Sequence, residues 1–149
     1  MMAMGRLGGI AALAVALVVA TGAFAADMGM MAASQMKTAI DRAKLAQSAA
    51  DLKSVKENLQ EVVNCIEGPK GGMFKAMDAM GKAQCKGNGL SADAKAAGSK
   101  WAGALPWIEV ANDIAAVGLK AQTTAKAKAA AWGTQATLEH VDKAMMMKK

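Results

Sequence analysis

Alanine takes the place of bulky residues through most of this 149-residue chain, and this feature narrows the choice of fold more than any other. Tyrosine is absent, and the sequence holds only two phenylalanines, three tryptophans and two prolines. Alanine has the highest helix propensity, whereas strands favour aromatic and β-branched side chains. The composition therefore predicts an all-α fold of closely packed helices.

The N-terminal 25 residues have the pattern of a secretory signal peptide. Arg6 supplies one positive charge, and the uncharged apolar run 7–24 follows it. The run leads into the small-x-small tripeptide Ala23-Phe24-Ala25. This order predicts cleavage after Ala25 and a protein that acts in the periplasm or outside the cell. An uncleaved anchor is the alternative, because Leu7 to Ala26 has about the length that spans a bilayer.

The predicted mature chain, residues 26–149, is one domain by length and is moderately basic. Without Arg6, its 17 basic residues exceed the 12 acidic ones by five, and Arg42 is the only one of the 17 that is not lysine. Nucleic-acid-binding surfaces use arginine and stacking aromatic residues, and both are scarce here. We expect no nucleic-acid partner and no membrane span after cleavage.

Two amphipathic helices are predicted in the first half of this domain. Ser34 is predicted to cap the first helix, which continues to about Ala50. The second helix begins at a capping box, Ser54 to Glu57, and ends at Gly68-Pro69, since proline cannot extend a helix. Apolar residues repeat at helical spacing along each: Met36, Ile40, Ala43, Gln47 (the one polar member) and Ala50 in the first, and Val55, Leu59, Val62, Val63 and Ile66 in the second.

Residues 68–99 differ from the rest because glycine occurs seven times among them. We expect a long crossover tied down by a disulfide between Cys65 and Cys85, since an even pair in an exported protein is typical of a disulfide. Covalent haem or a paired-cysteine metal site is the alternative, but neither cysteine lies in a C-x-x-C motif. Within the crossover, Met73 to Met80 is predicted to form two helical turns, and Ser91 to cap a short helix.

Two further helices complete the predicted fold. Pro106 suits the first turn of the third helix, whose apolar stripe is Trp107, Val110, Ile114 and Val117. The fourth is predicted from about Lys120 to Met146, with the stripe Ala131, Thr134, Leu138, Val141 and Met145. Joined as two helical hairpins, these helices predict an antiparallel four-helix bundle with one disulfide-tied crossover loop. One continuous helix over 106–146 is the alternative.

Sequence motifs for catalysis are missing. The chain has no G-x-S-x-G, H-E-x-x-H, P-loop or dinucleotide-binding motif, and His140 is its only histidine. The carboxylate pairs Glu57/Glu61 and Glu139/Asp142 lack the carboxylate–histidine sets of di-iron bundles, so we expect them on solvated faces. We therefore expect that the protein is not an enzyme.

Methionine is the unusual chemical resource of residues 26–149. Thioether sulfur is a soft ligand suited to Cu(I), and it stays available in an oxidising compartment. In an antiparallel bundle the start of helix 1 and the end of helix 4 lie at the same end, so their methionines would converge. Gap filling in an aromatic-poor core is the alternative. The candidate metal ligands are Met28, Met30, Met31, Met36, Met145 and Met146.

A methionine near the start of helix 1 and a histidine near the end of helix 4 resemble the arrangement of cytochrome b562. That protein is a periplasmic four-helix bundle with non-covalent haem. The resemblance implies a b-type haem electron carrier with Met36 (or Met31) and His140 as axial ligands. An exposed His140 without a ligand role is the alternative.

The end of helix 2 carries a second resemblance. The segment Asn64-Cys65-Ile66-Glu67-Gly68-Pro69-Lys70-Gly71, followed by Cys85-Lys86-Gly87-Asn88-Gly89, is similar to one in small exported bacterial helical proteins of uncharacterised function. The matched cysteines support the disulfide. Those proteins often carry histidines on helix 2, which implies metal or haem binding, whereas this chain has Gln60, Glu61, Val62 and Val63 there.

Three functional hypotheses result. The first is a non-catalytic periplasmic binding protein for a metal or redox centre, with copper held by the methionines and a metal ion or redox protein as its partner. The second is a haem b electron carrier. The third is a structural or interaction protein of the cell envelope that presents the glycine- and lysine-rich crossover to an acidic partner.

Overall fold

The computed structural model describes residues 11–76 and 85–147, with side chains in the first helix described from residue 22 onward. These residues form helices and no strand, which confirms the predicted all-α class. The helices are α1 (Ala11–Ser48), α2 (Leu52–Glu67), α3 (Leu90–Ala96), α4 (Ser99–Ala102), α5 (Leu105–Lys120) and α6 (Thr124–Met146). Residues 1–10 of the predicted signal peptide lie outside the described residues.

The first helix begins well before the predicted start. Ser34 lies inside α1, where its carbonyl accepts a hydrogen bond from Thr38 Oγ1 (3.1 Å), so it is not an N-cap. The preceding residues are mostly alanine and methionine and include no proline, so nothing interrupts the helix. The predicted stripe is buried at Met36, Ile40 and Ala43 and half-buried at Gln47, whereas Ala50 follows the helix and is exposed.

The N-terminus of α2 is capped by Asp51 and not by the predicted Ser54 box. The Asp51 carboxylate accepts hydrogen bonds from Ser54 N (2.9 Å) and Ser54 Oγ (2.8 Å). The aspartate prevails because it stands three residues earlier, where its side chain reaches the free amide of Ser54. Glu57, the other member of the predicted capping box, forms an ion pair with Lys53, and the distance from its Oε1 to Lys53 Nζ is 3.8 Å. All five members of the predicted apolar stripe of α2 are buried, as predicted.

The C-terminus of α2 matches the prediction. Gly68 follows Glu67 with φ +70°, and its N–H donates to Asn64 O (2.9 Å). A Cβ on Gly68 would lie 1.9 Å from the carbonyl oxygen of Asn88, so the returning chain passes directly over it. The Cys65–Cys85 disulfide is formed next to this contact, as predicted.

The third predicted helix, α5, turns a neighbouring face to the core, and of the predicted stripe Ile114 is half-buried. Trp107, Val110 and Val117 of the predicted stripe are 49%, 44% and 66% exposed. The buried stripe is made of small residues and one isoleucine: Ile108, Ala111, Ala115 and Gly118. Both stripes have helical spacing, but the small one lets α5 approach its neighbours more closely. A Cβ on Gly118 would lie only 2.6 Å from Leu59 Cδ1 and 2.8 Å from Ala130 Cβ.

A short connection separates α5 from α6, so the single helix 106–146 does not form. Ala121 is extended, and Thr123 caps α6 by accepting a hydrogen bond from Lys126 N (3.3 Å). Lys120, the predicted start of helix 4, is the last residue of α5. The predicted α6 stripe is buried at Ala131, Thr134, Leu138 and Val141 and half-buried at Met145.

The four long helices pack around one apolar core. α1 and α5 each pack against both α2 and α6, and α3 packs mainly on α1. The largest fully buried apolar side chains come from five helices: Met36, Leu59, Ile66, Leu90, Ile108 and Leu138. Within the described part of the chain, no helix has the length and apolar character needed to cross a membrane.

The start of the crossover is not helical at residues 73–76, where the sequence predicts the first of two helical turns. Met73 is in a turn and residues 74–76 are irregular, while Met77 and Met80 lie outside the described residues. Farther along, α3 begins at Leu90 after Gly89, so Ser91 is inside the helix and does not cap it. Buried Asp93 joins α3 to α1 by accepting a hydrogen bond from Gln35 Nε2 (3.0 Å).

Candidate functional site

A surface-open cavity of about 330 Å³ lies where the early part of α1, the end of α6 and the short helices α3 and α4 meet. α1 contributes one helical face made of small residues and Met30, and α6 contributes Asp142, Met145 and Met146. Lys100 and Trp101 of α4 and Ala97, which follows α3, close the third side. We call this the methionine cavity; its α1 face is Ala25, Ala26, Gly29, Met30 and Ala33.

Small residues on α1 create the space in the methionine cavity. A Cβ added at Gly29 would already touch Trp101 Nε1 at 3.4 Å, so a longer side chain there would intrude on the indole. Trp101 is 4% exposed and belongs to the core, which gives the cavity one fixed wall. Met30 and Met146 are more than half exposed, so the opposite wall is flexible and open to solvent.

The structure brings together three of the six predicted methionine ligands. Met30, Met145 and Met146 line the methionine cavity, as expected if the start of α1 and the end of α6 share one end. Met36 does not reach it, because its side chain is fully buried in the core. Met28 and Met31 are half-buried on other faces of α1, and the Met31 Cε atom lies against Gly87 of the crossover.

The charged lining of the methionine cavity comes from residues that the ligand prediction omitted. Asp142 is half-buried and carries a negative charge that favours a bound cation, whereas Lys100 opposes it. Trp101 lines the same space, with its indole Nε1 beside Gly29 of α1. These residues belong to elements far apart in sequence, so no local motif indicates them.

Harder metal-ligand sets are not found among the described residues. No group of three or more His, Cys, Asp or Glu side chains is placed to hold a metal ion there. Both cysteines are joined in the disulfide and are not free thiolates. Any ion in the methionine cavity would therefore depend on thioether sulfur, which selects soft ions.

The predicted haem ligands Met36 and His140 lie in different environments. Met36 is buried in the core, whereas His140 is exposed and its ring packs against Trp107, with centroids 5.4 Å apart and planes tilted by 58°. The cavity that His140 lines has a volume of about 60 Å³ and does not include Met36. Cofactor pockets measure roughly 300–1,000 Å³, so this arrangement does not favour haem.

On α2, the four residues at which the resemblance implied histidines, Gln60 to Val63, have structural contacts. Gln60 Nε2 donates to Met73 O (2.9 Å), and Val62 and Val63 are in the core. Glu61 forms an ion pair with Arg42 of α1 at 2.5 Å. The prediction that Glu61 lies on a solvated face was therefore wrong. Burial raises the pKa of Glu61, and Arg42 opposes that rise.

Carboxylates on α6 are divided between two roles. Glu139 lies 3.0 Å from Lys44 Nζ and accepts a hydrogen bond from Gln135 Nε2 (2.8 Å), and these contacts, the Gln135 bond first, lower its pKa. Asp142, one turn later, lines the methionine cavity. The predicted pair therefore separates into a residue that joins α6 to α1 and one that faces the cavity.

A second opening lies between α2 and the start of the crossover. It has a volume of about 720 Å³, and Lys53, Lys56 and Lys75 contribute positive charge to its lining, with Glu57 as the acidic member. We call it the lysine groove. It was not predicted as a site, although the crossover was expected to present lysines to an acidic partner.

Comparison with known proteins adds no relative from which a role could be transferred: no protein-family model, curated protein or solved structure matches this chain.

Proposed function

We propose that this protein is a non-catalytic binding protein for a soft metal ion, and that Cu(I) binds in the methionine cavity. The observation that carries the proposal is the meeting of Met30 from α1 with Met145 and Met146 from α6 at one cavity. Residues more than 100 positions apart in sequence supply the same unusual donor atom there. Thioether sulfur prefers Cu(I) among the common biological metal ions.

The shape and chemistry of the cavity support this proposal. Methionine has three rotatable side-chain bonds, so exposed Met30 and Met146 can close around an ion while Met145 stays packed against the core. Asp142 offsets part of the ion's charge, and the buried Trp101 gives the site one fixed wall. Lys100 acts against binding and sets a limit on the affinity.

The proposal includes a cellular context and a finer description of the fold. Residues 1–25 are removed as a signal peptide, and the mature protein acts in the periplasm or outside the cell. α1, α2, α5 and α6 form an antiparallel four-helix bundle of two hairpins, with the methionine cavity at one end. The contacts of α1 and α5 with both α2 and α6 support this arrangement.

Metal binding can be tested through Trp101 itself. Trp107 and Trp132 are exposed and can be replaced by phenylalanine, which leaves the buried Trp101 as the only indole. We expect Cu(I), or Ag(I) as a redox-stable substitute, to change Trp101 fluorescence with one ion bound per chain. Competition with a coloured Cu(I) chelator then measures the affinity.

Single leucine substitutions separate ligands from bystanders. Leucine keeps the volume and apolar character of methionine but removes the sulfur. We expect Met30→Leu, Met145→Leu and Met146→Leu each to weaken binding by about tenfold or more. Met147→Leu is the matched control, because Met147 is next in sequence and exposed but does not line the cavity. Absence of binding, or equal losses in all four variants, would contradict the proposal.

The lysine groove supports a second candidate function, recognition of an acidic partner at the cell envelope. Three lysines face one opening, and Lys53 is almost fully exposed. We expect an acidic peptide to bind at low ionic strength, and replacement of Lys53, Lys56 and Lys75 by glutamine to remove that binding. The same replacement should leave Cu(I) affinity unchanged, which distinguishes the two functions.

A further inference from the structure

We infer that removal of the signal peptide completes the metal site, because cleavage places the new α-amino group of Ala26 at the methionine cavity as a nitrogen ligand. This inference rests on the proposed function and deepens it. It assigns one donor that the precursor lacks and links metal loading to processing.

The position of the predicted cleavage site carries the inference. Ala25 and Ala26, the two residues on either side of the scissile bond, both line the methionine cavity together with Met30. In the precursor this bond is an amide within α1, and its nitrogen has no lone pair available for a metal ion. The two residues that cleavage separates therefore both belong to the wall of the cavity.

Cleavage changes the chemistry at this point by a simple hydrolysis. Water breaks the C–N bond, Ala25 leaves with the signal peptide as a carboxylate, and Ala26 keeps the nitrogen as an ammonium group. This group releases one proton to solvent when its nitrogen binds the metal ion. An amine nitrogen is a metal donor, whereas an amide N–H is not. Added to the sulfurs of Met30, Met145 and Met146, it provides four donors for one ion.

The described part of α1 tolerates this cut. Ala23 and Phe24 are exposed, and a Cβ added at Gly22 would meet no atom within 4 Å, so this part of the helix projects from the molecule. The first fully buried residue of the described α1 side chains is Ala32, more than a helical turn after the cut. The mature chain thus keeps the core contacts of α1.

The test uses protein that has been exported and processed, with its first residue checked by mass spectrometry. Transamination with pyridoxal phosphate converts the α-amine into a carbonyl and spares the lysine side chains. We expect this treatment to weaken Cu(I) binding by about tenfold or more. In X-ray absorption spectra of the loaded protein, one nitrogen or oxygen neighbour should be lost while the sulfur neighbours remain.

Parallel treatment of the Met30→Leu variant separates failure of the inference from failure of the proposed function. Equal affinities and spectra before and after transamination, with Met30→Leu weaker than the parent protein, would overturn the amine ligand and leave the methionine site standing. Equally weak binding in the parent and the Met30→Leu protein would overturn both. A mature chain that begins at a residue other than Ala26 would also overturn the inference.

Discussion

Polar side chains on α2 form hydrogen bonds with the main chain at the start of the crossover. Asn64 accepts from Lys75 N (3.0 Å) and donates to Lys75 O (2.7 Å). Glu67 accepts from Met73 N (2.7 Å), and Gln60 donates to Met73 O (2.9 Å). Every main-chain polar group of these two crossover residues is thereby satisfied by a side chain. These four hydrogen bonds hold Met73 and Lys75 against α2.

A single side chain also makes the stability of α2 depend on pH. Hydrogen bonds from Ser54, the backbone N–H first, hold the pKa of Asp51 below its ordinary value of 3.8. Because the folded-state pKa is the lower one, the stabilisation is complete above the unfolded-state pKa and is lost as the pH falls through the folded-state pKa. We expect Asp51→Ala to lower the Tm by a few degrees at neutral pH and by less in acid, as measured by circular dichroism.

The control for this prediction is Asp51→Asn, which keeps an acceptor for the Ser54 amide but does not titrate. We expect its Tm to lie close to that of the parent protein at neutral pH, since asparagine is also a good N-cap. If the effect of the alanine variant grew as the solution was acidified, the assigned cap would be wrong.

At the scale of helices, α5 shows that packing can select the smaller of two apolar stripes. Its large residues Trp107, Val110 and Val117 are at the surface, while alanine and glycine face α2 and α6. Because these residues are small, the helix axes lie close together, and the core is filled without large side chains from α5. This packing leaves an apolar outer face on α5. On α6, Trp132 is also at the surface and is 66% exposed.

Substitution of two helical glycines tests this packing directly. Gly118→Ala would place its Cβ 2.8 Å from Ala130 Cβ, whereas Gly133→Ala would meet Ile114 Cγ2 at 3.3 Å. Through the higher helix propensity of alanine, each substitution by itself stabilises the helix by about 1 kcal/mol. We expect Gly118→Ala to lose about 1–2 kcal/mol overall through overpacking, and Gly133→Ala to be neutral or stabilising, because half-buried Ile114 can shift.

Urea unfolding curves of the two variants provide the measurement. Equal stabilisation by both alanines would show that α5 is not as close to α6 as the structure has it. A loss confined to Gly118→Ala would support the tight contact.

At the scale of the whole molecule, the fold joins segments that are remote in sequence at two places. The disulfide and the Gly68–Asn88 contact hold the end of α2 against the return of the crossover. The methionine cavity collects α1, α4 and α6 at one site. The two regions share no lining residue, so their contributions to stability and to binding can be separated.

Removal of the disulfide should affect stability more than metal affinity. Cys65 and Cys85 are separated by 20 residues, and a loop of that length stabilises by about 3 kcal/mol through the entropy of the unfolded chain. We expect the Cys65→Ala/Cys85→Ala variant to lose about that free energy of unfolding in urea, and to bind Cu(I) as before under conditions where it remains folded. A loss of Cu(I) affinity in the folded double variant would show that the two regions are coupled.

The sequence by itself determined the helical class, the apolar face and C-terminus of α2, the buried stripe of α6 and the disulfide. These depend on local propensity, on clear 3.6-residue periodicity and on the presence of only two cysteines. It also indicated that methionines at the two chain ends would converge. In contrast, the cap of α2 was predicted at Ser54 and lies at Asp51, and the start of α1 lacked any interruption to mark it.

Only the tertiary structure decided which stripe of α5 faces the core, which methionines reach a common cavity and which side chains surround it. Each of these depends on how closely two or three helices approach one another. Periodicity defines a stripe on one helix but carries no information about its neighbours' shape. Met30 and Met36 were therefore both predicted as ligands on the same helix. The packing of α1 buries Met36 in the core and leaves Met30 at the cavity.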